Sequence, residues 1–290
     1  MPLPLPTSLS PSKVSSFTDC GLAFRFSAID HLPEPPSVAA SRGTLVHAAL
    51  ERLFGWDPAE RTQERARVCL DEAIAELREH PEFAGLELDE DAVAVFHDEA
   101  RELLGRYFRL EDPTTITPIG LELKLEVEVG GVQLRGIIDR LELDADGELV
   151  VTDYKTGKAP GERQEQQRLA GVAFYSLLCE RLFGKRPARV QLLYLADPVA
   201  IISTPSDRST RGVERKLAAI WMAIERACDR EDFRPNPGRL CDWCAFKAYC
   251  PSFGGDIALA DAYRIDWELA HAAARAADAA AADVQVAVAS

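Results

Sequence analysis

The stretch GIIDRLELDADGELVVTDYKTG, residues 136–157, decides the fold. Apolar and polar positions alternate on both sides of Asp144-Ala145-Asp146-Gly147, a turn signal between two strands. A three-residue loop (Ala145, Asp146, Gly147) closed by glycine in the left-handed region makes a hairpin with a G1 bulge. That loop length pairs Leu143 with Leu149, Leu141 with Val151, Asp139 with Asp153 and Ile137 with Lys155. Strand residues two apart share a face. Asp139, Asp153 and Lys155 therefore stand on a face otherwise made of Ile137, Leu141, Leu143, Leu149 and Val151.

Carboxylates directly opposite each other, with Cβ atoms about 4.5–5.5 Å apart, repel and cannot both ionise without a counter-charge. Lys155 supplies one charge, and a divalent cation bridging the carboxylates would supply the rest. Hard oxygen ligands suit Mg²⁺ or Mn²⁺. A cation beside a lysine in turn suits phosphodiester hydrolysis, because the metal activates water and the lysine stabilises developing negative charge. On spacing alone, a structural Asp–Lys pair at a sheet end is an equal alternative, since a loop of different length turns one carboxylate outward.

Upstream, Leu121, Leu123, Leu125, Val127 and Val129 alternate with polar residues and predict a strand, joined to the next through Gly130-Gly131. Downstream, helical spacing covers 164–183 and 209–228, with a strand over 189–195 between them. Before the strands, Ser10-Pro11 reads as an N-cap and first helical residue of a helix reaching Phe24. Further helical patterns cover 42–54, 60–79 and 89–109. The order is that of an α/β fold with an antiparallel three-stranded meander.

Gly136-Ile137-Ile138-Asp139-Arg140 and Val151-Thr152-Asp153-Tyr154-Lys155-Thr156-Gly157 resemble motifs II and III of the PD-(D/E)XK nuclease superfamily, in its RecB-like branch. Arg42-Gly43-Thr44-Leu45-Val46-His47 resembles that branch's motif I. The resemblance implies a restriction-endonuclease-like mixed sheet flanked by helices. It implies His47, Asp139 and Asp153 as metal ligands, Lys155 as the catalytic lysine and Glu122 as an accessory acid. Taken alone, His47 reads as a helix histidine paired with Glu51 at i,i+4. The branch's Gln-x-x-x-Tyr motif is incomplete: Tyr175 is present, but Gly171 stands four residues before it, with Gln166 and Gln167 earlier. Thr156-Gly157-Lys158-Ala159 is not a phosphate-binding loop, because 152 is Thr and 159 lacks a hydroxyl.

Seven cysteines, an odd number, do not read as a disulfide framework. Cys69, Cys179 and Cys228 fall in helical patterns as small apolar residues. Cys241, Cys244 and Cys250 form a cluster that lacks a fourth ligand, and Cys20 is the remaining cysteine outside the main helical runs. Structural Zn²⁺ and an iron–sulfur cluster both accept four thiolates. AddB-type and CRISPR-adaptation nucleases of the same branch place one N-terminal and three C-terminal cysteines on a 4Fe–4S cluster. That match implies Cys20, Cys241, Cys244 and Cys250 as its ligands, joining the chain ends. Trp243, Phe246 and Tyr249, interleaved with them, are expected to shield the cluster.

The chain of 290 residues carries a formal charge of −14, which at first sight opposes a nucleic-acid partner. The charge is uneven: residues 47–112 hold 18 acids and 8 bases, whereas 181–250 hold 8 acids and 13 bases. Arg181, Lys185, Arg186, Arg189, Arg208, Arg211, Arg215 and Lys216 are candidate phosphate contacts or ordinary solvated charges. No apolar run approaches the ~18 residues of a membrane span, and residues 1–12 lack signal-peptide character, so a cytoplasmic protein without a membrane partner is expected. The resemblance implies one nuclease domain over 1–256, followed by an Ala-rich helical or frayed tail over 257–290. The function expected is a metal-dependent exonuclease on single-stranded DNA ends in repair or recombination. A separate helicase is a candidate partner for a nuclease this short without a motor. The competing expectation is a catalytically inactive DNA-binding or scaffold subunit of a helicase–nuclease complex.

Overall fold

The computed structural model describes residues 2–272, with the side chains of 162–170 and 172 outside the description. Its helices are α1 (Pro11–Asp19), α2 (Gly21–Ala28), α3 (Val38–Phe54), α4 (Gln63–Arg78), α5 (Pro81–Ala84), α6 (Glu90–Tyr107), α7 (Glu162–Phe183) and α8 (Asp207–Arg230). The strands are β1 (Thr117–Val129), β2 (Val132–Leu143), β3 (Leu149–Lys155), β4 (Arg189–Tyr194) and β5 (Val199–Ser203). The chain divides into two units: one spans Ser8–Pro11 and Pro35–Ala219, and the other is built from both ends of the chain, including Ser12–Glu34 and residues from Ile220 onward.

In the first unit the strands lie in the order β1-β2-β3-β4-β5. The β1-β2-β3 meander is antiparallel, β4 is parallel to β3, and β5 is antiparallel to β4. A parallel neighbour needs a crossover, which α7 supplies between β3 and β4. Three N-caps match their helix starts: Ser37, Thr62 and Asp89 accept from the backbone N–H groups of Ala40, Arg65 and Ala92. The apolar stripes of α3, α4 and α6 close over Tyr154, Leu193 and Leu195 to form the main core. Strand β3 is buried along its length except at Lys155, as a sheet covered on both faces requires.

The hairpin has the expected turn. Gly147 lies at φ +75°, and Leu143↔Leu149 and Leu141↔Val151 pair as the loop length predicts. The ladder ends at Arg140↔Thr152, so the expected Asp139–Asp153 and Ile137–Lys155 pairs do not form. Ile137 pairs instead with Lys124 of β1 and is exposed. The Tyr154 N–H donates to Asp139 Oδ2 at 2.6 Å, a buried carboxylate that accepts what a backbone carbonyl would otherwise take.

The second unit packs Phe24 against Phe233 and Phe26 against Phe246 and Tyr249. The expected single helix from Ser10 to Phe24 is broken at Cys20, which adopts extended geometry (φ −157°, ψ 108°) as the N-cap of α2. Arg25 and Asp30 form a buried ion pair at 3.0 Å. Residues 257–272 are helical; the remainder of the expected tail lies outside the described residues. Among the described residues no helix is long and apolar enough to cross a membrane.

Candidate active site

The site forms in the first unit, where β2 and β3 part. His47 reaches it from α3, whose Gly43 lets the helix approach the end of β3: a Cβ at 43 would lie 3.1 Å from Thr156 Oγ1. His47 Nε2 is 3.1 Å from the Tyr154 carbonyl oxygen. A carbonyl can only accept, so Nε2 donates the proton of this bond, and Nδ1 is the ring nitrogen left to the acids. Nδ1 faces Asp139 Oδ2 at 3.5 Å and Glu122 Oε1 at 3.9 Å.

Glu122 enters through a backbone irregularity. Leu121↔Arg140 and Leu123↔Ile138 are paired, while Glu122 between them is left out of the ladder at φ +43°. A non-glycine residue in that region costs on the order of 1–3 kcal/mol and is retained where surrounding structure enforces it. Here it aims the carboxylate at His47. Donor atoms of His47, Glu122 and Asp139 all lie within 4.8 Å of one another. The tight group thus includes the expected accessory acid Glu122. Asp153 stands beside it, paired with Lys155 Nζ at 2.5 Å.

The electrostatics follow from burial. Burial, then the neighbouring Asp153 charge, pushes the Asp139 carboxyl up to about 7, against the pull of His47, the Tyr154 amide and Lys155. Burial would lower the His47 imidazolium, but Glu122, Asp139 and Asp153 outweigh it and raise it. Burial likewise opposes the Lys155 ammonium, and Asp153 more than offsets that. Tyr175 is raised first by burial and then by Asp153, Asp139 and Glu122. Gly136 gives Tyr175 room: a Cβ there would meet Tyr175 Cε1 at 3.2 Å and Leu178 Cδ1 at 2.8 Å.

A divalent cation fits these residues. Donor atoms of His47, Glu122 and Asp139 converge on one point, and Lys155, paired with the buried Asp153 carboxylate beside them, meets only part of the negative charge there. The donor set is one imidazole and several carboxylates, which suits Mg²⁺ or Mn²⁺. The Nε2–H bond to a backbone carbonyl is the usual orientation device for a ligating histidine. A cation here must displace protons from a group raised to about 7, so Mn²⁺ affinity should rise with pH between 6 and 8, by up to about tenfold per unit for each proton released. Stability of the metal-free protein has the opposite sign. An acid whose folded-state pKa is raised stabilises the fold below its unfolded value, and that contribution is lost as pH climbs from about 4 through 7. Calorimetric Mn²⁺ titrations and metal-free melting curves at pH 6, 7 and 8 check both.

Sequence reasoning missed the groups on the other side of Asp139. Arg140 is fully buried. Its guanidinium donates to Glu111 at 2.8 and 3.0 Å, Glu142 at 2.5 Å, the Tyr154 hydroxyl at 2.6 Å and Thr152 Oγ1 at 3.1 Å. Gln191 Nε2 donates to both Glu111 and Thr152 at 2.8 Å. The available signal was Asp-Arg-x-Glu set in an apolar strand. Among the candidate phosphate contacts, Arg181 pairs with Glu214, Lys185 with Glu148 and Arg186 with Asp207. Arg208, Arg211, Arg215 and Lys216 are exposed.

In the second unit, Cys20, Cys241, Cys244 and Cys250 line one pocket with Phe26 and Phe246. Backbone N–H groups of Asn236 and Gly238 donate to the sulfurs of Cys20 and Cys241, each at 3.4 Å. No three of the sulfurs lie within 4.8 Å of one another, a spacing that among the described residues only the His47 group meets. Phe246 is buried, but Trp243 is 81 % exposed and does not shield the pocket. The chain turns tightly at Gly255, where a Cβ would run into the Ala248 carbonyl and the Cys250 amide.

Comparison with known proteins finds relatives of this chain. The PD-(D/E)XK nuclease superfamily matches residues 8–251. The Gene 69 protein of Mycobacterium phage D29 is 24% identical over 271 residues, covering 84% of this chain and 96% of its own length. The Gene 69 protein of Mycobacterium phage L5 is 26% identical over 136 residues, 46% of this chain and 44% of its own. A solved structure from Eubacterium rectale, classed provisionally as an exonuclease, superposes with a TM-score of 0.53 at 13% identity, covering 82% of this chain and 87% of that one. At that identity the likeness speaks for the fold alone.

Proposed function

Because this chain belongs to the PD-(D/E)XK nuclease superfamily, we propose that it is a metal-dependent DNA nuclease of the RecB-like branch, acting as an exonuclease on single-stranded ends. The observation that carries the reading is the convergence of His47, Glu122 and Asp139 within 4.8 Å, with Asp153 and Lys155 alongside. His47, Asp139 and Asp153 would hold Mg²⁺ or Mn²⁺, with Glu122 as a further acid at the same place. When bound, the cation polarises a phosphoryl oxygen and lowers the pKa of its water. Asp139 and His47 give up their protons to admit it. Lys155 orients the attacking water and stabilises charge on the phosphate as the phosphorus–oxygen ester bond breaks. Tyr175 borders the Asp153, Asp139 and Glu122 carboxylates.

The same reading places a 4Fe–4S cluster on Cys20, Cys241, Cys244 and Cys250. Four thiolates on one tetrahedral zinc would sit about 3.8 Å apart, from a Zn–S bond of about 2.3 Å. Thiolates on a four-iron cluster each bind a different iron and stand wider, and the four cysteines that line one pocket supply the number of ligands it takes. Backbone N–H groups of Asn236 and Gly238 donate to two of the sulfurs, as hydrogen bonds to the sulfurs of an iron–sulfur site do.

The test uses anaerobically purified full-length chain with labelled linear single strands, linear duplexes and single-stranded circles, in Mn²⁺ or in EDTA. Metal-dependent degradation of linear single strands with circles intact is expected, from a brown protein holding about four irons. Intact substrates under every metal and redox condition would favour the scaffold reading, which has Gly171 in place of the family glutamine in its favour. A colourless protein with one zinc would reject the cluster without touching the nuclease.

A further inference from the structure

We infer that Tyr154, clamped through its hydroxyl by Arg140, is a positioning residue for His47 and Asp139, an inference that rests on the metal-site reading above. Each polar group of Tyr154 has one such partner. Its N–H donates to Asp139 Oδ2 at 2.6 Å, its carbonyl accepts from His47 Nε2 at 3.1 Å, and its hydroxyl accepts from Arg140 Nη1 at 2.6 Å. The ring meets His47 edge-on, with centroids 5.8 Å apart.

The β2–β3 ladder has already ended at Thr152. On the β2 side, therefore, no ladder bond holds the peptide on which both candidate ligands depend. Side-chain bonds take over that task, and β2 provides two adjacent ones: Asp139 grips the Tyr154 amide, and Arg140 grips the phenol. Arg140 can serve as a fixed anchor because Glu111 and Glu142 hold it from two further directions. A rigid outer group that sets the orientation of a ligand is worth about 10–100-fold in metal affinity at comparable sites.

A purely structural network would make a different prediction, and Tyr107 separates the two. Its buried hydroxyl also meets Arg140 Nη1, at 3.5 Å, yet among the described residues its backbone bonds neither ligand. The experiment measures Mn²⁺ affinity by electron paramagnetic resonance and the His47 tautomer by ¹⁵N NMR of the metal-free protein, for wild type, Tyr154→Phe and Tyr107→Phe. Tyr154→Phe should weaken Mn²⁺ binding about tenfold and mix the His47 tautomers. Tyr107→Phe should lower the melting temperature but leave both readouts at wild-type values. Arg140→Lys, which keeps the charge but not the fork, should follow Tyr154→Phe and replaces it if that variant does not fold. Wild-type affinity and a single tautomer in Tyr154→Phe, or equal losses in Tyr107→Phe, would overturn the positioning role alone. Failure of wild type to bind Mn²⁺ would instead remove the metal-site reading, and this inference with it.

Discussion

Lys155→Ala is expected to lower Mn²⁺-dependent cleavage by on the order of 10²–10³-fold, the scale of losing one preorganised electrostatic group, while Mn²⁺ still binds. Lys155 is no metal ligand; its ammonium lies 2.5 Å from Asp153 Oδ2, with 42 % of the side chain exposed toward solvent. Removing that ammonium takes away a positive charge beside the site, so cation affinity should stay level or tighten. Asp153→Ala should lose the same activity but weaken Mn²⁺ binding as well. Single-turnover rates together with calorimetric Mn²⁺ titration separate the two variants. Wild-type rates from Lys155→Ala would take the lysine out of the chemistry.

Arg140→Met should destabilise the protein by about 3–5 kcal/mol, the cost of removing one partner from a buried ion pair. The guanidinium is fully buried between Glu111 and Glu142, whose side chains are only 13 % and 6 % exposed. Burial already raises the Glu142 carboxyl, with Arg140 as the main opposing charge. Methionine fills most of the volume but leaves two carboxylates without their cation and the Tyr154 hydroxyl without its donor. Arg67→Met offers the contrast, since its pair with Glu64 is exposed on both sides and should contribute ~0–1 kcal/mol. Urea melts of both variants give the comparison; near-equal midpoints would show that the Arg140 network is not a stabilising element.

Local chemistry made the hairpin legible. Asp-Ala-Asp-Gly sets the loop length, and the loop length sets the first pairs of β2 and β3. The same register, carried past Arg140 and Thr152, overstates the ladder: Asp139 accepts from the Tyr154 N–H rather than pairing with Asp153. What stayed hidden depends on long-range contact. Leu121-Glu122-Leu123 reads as plain alternation, and nothing in it announces the left-handed Glu122 that turns a carboxylate onto His47. Arg140 looks like an outward charge in an apolar strand until Glu111, from the end of the helical segment, and Glu142 close on it. Strand β5 was missed because Val199–Ser203 is only 5 residues long and follows directly on Asp197-Pro198. The break at Cys20 was invisible because the apolar spacing on either side continues through it. The basic segment is a poor guide to phosphate contacts, since Arg181, Lys185 and Arg186 are paired with Glu214, Glu148 and Asp207.

The central claim is that β2, β3 and α3 build a divalent-cation site. Anomalous diffraction at the manganese edge, from crystals grown with Mn²⁺ near pH 8, tests it most directly. The account predicts a peak bounded by His47 Nδ1 and the carboxylates of Asp139 and Asp153, lost in Asp153→Ala. Manganese found only at surface acids, with no density among these three side chains, would contradict it.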